Sequence, residues 1–223
     1  MNKHNLLATA LLMSATLTFT SCSDSPKGDS AAVTEEQAAA TATGQSMMVD
    51  TTTSQVKFTG YGVGKNHPGN FRLSSGTVTV TGNQVTGGEF VININSMTME
   101  EKDEMFQTKL KPHLLSGDFF DAGKFGTAKF VITKVEPYVA DGKDTSVVAG
   151  ANASISGNLT LKNETKNVTF PAKVEVTESS VSAIGNFNID RRQWQMVYGN
   201  DKSLGDKFIS ETVNIQLAIA AKK

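Results

Sequence analysis

From Val49 onward, apolar side chains return at every second position. Val56 and Phe58 alternate with Gln55, Lys57 and Thr59, and residues 77–81 read Thr-Val-Thr-Val-Thr. Phe90, Ile92 and Ile94 alternate with Glu89, Asn93 and Asn95, and Phe130 and Ile132 step across Lys129 and Thr133. Ile155, Leu159 and Leu161 share one face with Gly157 between them, and Val168, Phe170, Val174 and Val176 share another with Ala172. Val181, Ala183, Phe187 and Ile189, then Val213, Ile215, Leu217 and Ile219, complete the pattern. A period of two places successive side chains on opposite faces of a strand, so each run predicts a strand with one apolar face. Turn chemistry separates the runs at Gly82-Asn83, Gly87-Gly88, Asp141-Gly142 and Gly199-Asn200, where positive φ is tolerated. Asn163-Glu-Thr-Lys166 predicts a tight hairpin between two strong strands. Short antiparallel strands at this spacing build a sandwich or an up-and-down barrel.

One stretch departs from alternation. Thr98-Met-Glu-Glu101 has the form of a capping box, and good helix formers follow it as far as Leu110. Met99, Met105, Phe106 and Leu110 would form an apolar stripe, and Pro112 would end the helix or open another short turn. Such a segment covers a sheet edge or barrel end, or acts as a lid over a cavity. Next comes His113-Leu-Leu-Ser-Gly-Asp-Phe-Phe-Asp121. Phe119 and Phe120 sit between two aspartates, an apolar wedge inside a polar turn. It needs a hydrophobic interior to enter, which the end of a barrel would supply.

The N-terminal region has another character. A short basic start (Lys3, His4) precedes an apolar run from Leu6 to Phe19, too short for an ordinary spanning helix and typical of a signal peptide, here residues 1–21. Cys22, the sole cysteine, follows Thr20-Ser21. It cannot form an internal disulfide, and its place after small residues resembles a lipobox, where it would be acylated. Two or more acyl chains at about 0.8 kcal/mol per buried methylene would hold the chain on a membrane of the cell envelope, in the periplasm or on the outer membrane. Residues 23–48 are poor in large apolar groups and predict a flexible tether, with a coil dimension of roughly 25–30 Å. The domain expected is therefore 49–223.

Lysine and arginine number 21 against 22 acidic residues. That balance leaves no basic excess for nucleic acid or for charge-driven adhesion to anionic membranes. His67 and His113 are far apart, and neither a zinc motif nor a nucleophile elbow is present. Gly60-Tyr-Gly-Val-Gly64 is glycine-rich, but no helix pattern follows to make a phosphate cradle. These glycines fit a strand that bends with the barrel. In Asp190-Arg-Arg-Gln-Trp194, Asp190 and Arg191 would pair to brace a barrel end over Trp194, or Arg191 would meet a lipid head.

In the order and spacing of several motifs the chain resembles the YceI-like family of secreted lipid-binding barrels. They are Asn66-His-Pro-Gly69, Ser75-Gly76 opening a strand, Gly87-Gly-Glu-Phe90 leading to Asn95-Ser-Met97, Leu114-Leu-Ser-Gly-Asp-Phe-Phe-Asp121, Gly157-Asn-Leu-Thr-Leu161 with Thr165-Lys166, Thr169-Phe-Pro-Ala172, and Ile189-Asp-Arg-Arg-Gln-Trp194 with Tyr198. Gly126 stands where that family often has proline, and Asn163 where it often has glycine. The resemblance implies an extended lipocalin-like antiparallel barrel of about eight strands, holding a long isoprenoid chain such as a polyprenyl lipid or quinone tail. An eight-stranded barrel can hold one elongated ligand. The lining expected is Phe58, Phe90, Ile92, Phe119, Phe120, Phe130, Ile132, Leu159, Leu161, Phe187, Ile189 and Trp194, with a polar mouth of His67, His113, Asp190 and Arg191. The partner is then a long-chain apolar lipid, with no cofactor and no metal, and dimerisation is left open. The competing readings are a scaffold lipoprotein for interaction or envelope stress, and an enzyme on the same lipid. The latter would have to draw on His113, Asp118, Asp190 and Arg191, which lack a nucleophile and base at matching spacing.

Overall fold

The computed structural model describes residues 27–140 and 145–223. Cys22, the expected signal peptide and the Asp141-Gly142 turn lie outside the described residues. Among the described residues eleven strands are formed: β1 (Asp29–Ser30), β2 (Ala32–Glu35), β3 (Gln45–Val49), β4 (Gln55–Gly62), β5 (Lys65–Thr81), β6 (Gln84–Met99), β7 (Thr127–Pro137), β8 (Ala153–Leu161), β9 (Glu164–Val176), β10 (Ser180–Asp190) and β11 (Ile209–Lys222). Strands β4 to β11 pair antiparallel, each with the next. Pairing of β11 with β4 then closes an eight-stranded barrel. β3 continues the line of β4 between the same two neighbours, β11 and β5. One strand of the wall is thus broken in two.

The break is a turn at residues 50–54. Asp50 accepts hydrogen bonds from the Thr52 hydroxyl (2.6 Å) and amide (3.0 Å) and from the Thr53 amide. Its own amide stays tied to β11 through the Ala220 carbonyl. The Thr52 hydroxyl, then its amide, hold the Asp50 carboxyl down at about 2, because each bond favours the charged form.

Alternation placed every expected strand, but extents and turns differ. β5 and β6 are 17 and 16 residues long, and β5 runs through Asn66-His-Pro-Gly69. Proline is tolerated there because β6 pairing ends at Gly69–Met99. Gly87-Gly88 is no turn: it lies inside β6. The β8–β9 hairpin turns at Lys162-Asn163, with the left-handed φ at Lys162 (54°) and not at asparagine.

The expected tether is corrected for its described part. Residues 28–43 form a strap against the barrel wall. β9 and β10 pair only between 172–176 and 181–185. Where they part, β1 pairs with β10 and β2 with β9, sealing the seam. Farther on, Gln37 exchanges two hydrogen bonds with the Asn158 side chain. The Ala40 amide then donates to the Ile132 carbonyl, and Thr81 and Thr86 donate to the Thr43 carbonyl. Apart from Ala31 and Val33, which pack against the core, the strap adheres through backbone groups and outward-facing polar side chains, which leave no mark in a stretch poor in large apolar residues. Asn214 is the clearest case. It points out of the barrel, yet it is only 1% exposed, bonded to Asn186 and Asn188 under Gly28.

The covering helix also differs in detail. β6 carries the chain through Met99. The Thr98 capping box is not used, and Asp103 takes the Met105 amide instead. A π-helical turn, Phe106–Leu110, runs directly into α1, Lys111–Leu115. Pro112 therefore lies near the start of α1 and does not end the helix. The wider π turn accommodates a residue that cannot donate to the preceding turn and would clash with it. Phe106 is buried, but Met105 faces solvent.

Two outcomes follow. Because the Asp50 carboxyl is depressed on folding, its contribution is complete above the ordinary carboxylate pKa and is lost as pH falls through the folded value. Melting curves between about pH 4 and pH 2 should show a shallower fall in midpoint for Asp50→Asn than for the parent. A Cβ at Gly28 would overlap the Asn214 and Asn188 side chains, so Gly28→Val should loosen the strap. The expected cost is about 1–2 kcal/mol, or roughly 2–8 °C in midpoint, with new protease cleavage within residues 28–43.

Candidate functional site: an apolar cavity along the barrel

The inward half of the strands encloses a cavity of about 270 Å³. Its lining reaches from Tyr61, Val63 and His67 at one end to Val78 and Val85 near the β5–β6 hairpin. The eleven steps of β5 from His67 to Val78 span ~36 Å along the strand, or roughly 28 Å along the axis at the usual tilt. The space is thus long and narrow. Hydrocarbon walls it almost throughout.

Rings laid on glycines keep the middle hollow. Phe58 of β4 stands opposite Gly69 of β5, and its ring occupies the place of the missing Cβ. Phe130 of β7 reaches diagonally over Gly157 of β8, whose pairing partner is Ile132, and its ring likewise occupies the place of the missing Cβ. Phe170 approaches Gly185 of β10 to 3.2 Å of where a Cβ would be. Phe90, Phe130, Phe170 and Phe187 form a chain of neighbouring rings with centroids 6.2, 6.1 and 3.9 Å apart, the last pair stacked. A ring flat against backbone takes little of the bore, whereas a side chain at the glycine would push it toward the axis.

The mouth is built by the wedge and the segments around it. After α1 the chain folds back, with the Phe120, Asp121 and Ala122 amides on the Leu114, Ser116 and Leu115 carbonyls. Asp121 adopts a left-handed φ of 47°. This turn drives Phe119 and Phe120 into the barrel end. Phe120 meets Phe71 edge-on at 5.4 Å, and Phe119 packs among His113, Tyr198 and the Arg191 guanidinium.

Of the expected lining, Phe58, Phe90, Ile92, Phe119, Phe120, Phe130, Ile132, Leu159, Leu161, Phe187 and Ile189 face the cavity. Trp194 does not. It is 0% exposed and packs outside the cavity, its Nε1 donating to the Leu159 carbonyl at 2.9 Å. A large ring with one donor found a backbone acceptor and stayed in the wall. Of the polar mouth, His67, His113 and Arg191 line the cavity and Asp190 does not.

The Asp190–Arg191 pair is also corrected. Asp190 bonds Arg192, with 2.6 Å between Oδ2 and Nη2, and caps the 3-10 turn Arg191–Trp194. Burial raises its pKa, but the Arg192 hydrogen bonds and the two arginine charges outweigh burial and hold the carboxyl below its ordinary value. Arg191 instead turns inward onto backbone carbonyls. Its Nε donates to Ser210, one Nη to Met196, and the other Nη to Tyr198 (2.8 Å) and Ile209 (2.9 Å). Burial lowers its pKa from the usual arginine value. This clamp closes the irregular stretch between β10 and β11. His67 bridges Glu101 through Nδ1 and the Gly62 carbonyl through Nε2, both at 3.1 Å. His113 Nε2 faces Asp118 at 2.9 Å.

Several lining residues were not singled out from the sequence. Phe170 was in a strand run, and its period was the available signal. Leu110 and Leu114 lie one helical turn apart, a second readable signal. Met196 and Ile209 lie beside or within irregular chain, where no period marks them. The arrangement can take an elongated apolar molecule out of water, and its rim offers two histidine–carboxylate pairs.

Residues 47–221 match the family model described as YceI-like domain. A UPF0312 protein of Vibrio vulnificus is 30% identical over 105 residues, covering 47% of this chain and 48% of that protein. One of Pseudomonas fluorescens is 48% identical over 62 residues, covering 27% and 28%. The chain spans about half the length of the curated relatives it matches. Among solved structures, Burkholderia cenocepacia BcnA is similar with a TM-score of 0.60 at 20% identity, covering 78% of this chain and 99% of that one. A polyisoprenoid binding domain from Saccharophagus degradans, implicated in plant cell wall breakdown, has a TM-score of 0.57 at 15% identity, covering 79% and 97%. At these identities the structures speak to the fold, and it is the same barrel. With a family match over most of its length, the chain belongs to the YceI-like domain family.

Proposed function

We propose that this protein binds a long isoprenoid-type lipid, a polyprenyl lipid or quinone tail, inside the barrel, and carries or buffers it in the cell envelope while held on a membrane by an acylated Cys22. The observation that carries this reading is the hollow itself. A protein with no apolar cargo gains by filling its barrel with side chains. Here glycines stand where larger residues would close the bore, and phenylalanines lie flat on them. The walls offer a hydrocarbon chain dispersion contacts along its length and ask for no hydrogen bonds.

Each buried methylene contributes about 0.8 kcal/mol, so a few isoprene units give ample gross affinity before ordering costs. The polyisoprenoid binding attributed to the Saccharophagus degradans domain supports the same ligand class. In the tethered form, residues 23–27 separate Cys22 from the strap, which would keep the barrel close to the membrane from which a lipid is taken.

Solvent extraction of the purified protein followed by mass spectrometry should recover an isoprenoid lipid near one per barrel. Recovery of none, after expression in a host that makes such lipids, would refute the proposal. Gly157→Val should drive the Phe130 ring into the bore and lower recovered lipid by at least about threefold with strand content retained. Adding Phe130→Leu should restore part of the loss.

A further inference from the structure

We propose that the wedge end of the barrel docks on a lipid bilayer through apolar side chains, so that the cavity opens into the membrane and not into water. This rests on the isoprenoid reading above and adds the partner that the mouth meets. The basis is a cluster of exposed apolar groups at that end, one of them held out on strained backbone.

Val63, Met105, Val197, Tyr198 and Leu204 are exposed, Val63 at 64%. They come from three separate connections, β4 to β5, β6 to β7 and β10 to β11, and contacts join these connections around the mouth. The Val63 amide donates to the Phe208 carbonyl, and the Ile209 amide to the Gly199 carbonyl. Tyr198 meets the His113 ring edge-on at 4.7 Å. Phe106, next to Met105, lies 5.3 Å from the His67 ring and under the Lys65 ammonium. The exposed groups therefore surround one opening, and Val63 also lines the cavity.

Val63 and Gly64 are the two turn residues of the β4–β5 hairpin, between the paired Gly62 and Lys65. Their φ angles are 53° and 77°, the left-handed pair that such a turn requires. Asparagine or glycine takes the first position readily, whereas a β-branched side chain is disfavoured there. The turn does not call for valine, and water does not favour it at an exposed tip. An apolar medium that the side chain can enter accounts for both.

A bilayer entered by apolar groups fits this end better than a partner recognised by charge. Acidic and basic residues are interleaved through the same segments, as in Lys102-Asp103-Glu104, Asp201-Lys202 and Asp206-Lys207, so no field of one sign is presented. A tyrosine at the rim and lysine stems near Met105 and Leu204 suit the boundary between head groups and acyl chains. The length of the tether agrees. Cys22 stands six residues before Gly28, at most ~20 Å of extended chain. Gly28 accepts a hydrogen bond from the Asn188 side chain, two residues before the mouth end of β10 at Asp190. An anchor at Cys22 therefore reaches the plane of the mouth. A lipid tail could then pass from the bilayer into the cavity without crossing water.

The test reconstitutes the full-length protein on phosphatidylcholine vesicles with brominated acyl chains, which quench a tryptophan that enters them. Val63→Trp and Leu204→Trp place reporters at the mouth, and Val139→Trp, exposed beyond the opposite end of β7, is the control. Over the shared background of buried Trp194, both mouth reporters should be quenched at least about twofold more than the control. The difference should persist from about 0.05 to about 0.5 M salt, because screening weakens attraction by charge and not apolar entry. Equal quenching of all three, or stronger quenching of the control, would overturn docking by the mouth. Loss of the difference at high salt would overturn its apolar basis. Mouth reporters shielded from bromine in a protein that sediments as a dimer would assign the patch to a second copy and overturn the bilayer. Lipid extraction is read separately: an empty barrel with quenched mouth reporters would refute the cargo and leave the docking, and the converse would refute the docking alone.

Discussion

The structure depends on a contact between aromatic rings and bare backbone. Closing eight strands leaves a bore that side chains ordinarily fill. At Gly69 and Gly157 the wall lacks a side chain, and Phe58 and Phe130 lie down into the vacancy. The ring keeps its dispersion contacts, the glycine's backbone is shielded, and the axis stays open. The result is a cavity that is apolar because its walls are rings and branched chains, and continuous because those walls are flat.

An open bore makes the closure of the wall more demanding. A lined cavity contributes less packing than a filled one, so the seams must hold by other means. The strap answers this on the outside. It completes the parting of β9 and β10 with two short strands and engages Asn158, Asn188 and the carbonyl of Ile132 along its path. The mouth is held by Arg191, whose donors tie the Met196 and Tyr198 carbonyls of irregular chain to those of Ile209 and Ser210 at the start of β11. In both places polar bonding is spent on closing the barrel, which leaves the interior with little but hydrocarbon to offer. The strap lies wholly ahead of the family match, which begins at residue 47.

Much of this was legible in the chain. A period of two, repeated eight times, is a local property, and it named the strands and their inward residues from Phe58 to Ile189. The Phe119-Phe120 wedge was legible for the same reason: two large apolar residues between aspartates have few places to go other than an interior. The strap was not legible, because its hold comes from amides and asparagines that meet only when distant segments are brought together. Arg191 and Arg192 are adjacent and chemically identical. Which one meets Asp190 and which turns inward depends on the direction each leaves a 3-10 turn.

The sequence by itself determined that this chain makes a barrel with an apolar inner face, since alternation fixes which side chains share a side of each strand. Only the tertiary structure decided that the inner face surrounds a space. Hollowness is set by register across strands, by Phe58 falling opposite Gly69 and Phe130 lying diagonal to Gly157, and register between strands is not written in either strand alone. The fate of Trp194 makes the same point from the other side: it is the last residue of the 3-10 turn that follows the inward-facing run of β10, yet the Leu159 carbonyl on β8 drew its ring into the wall.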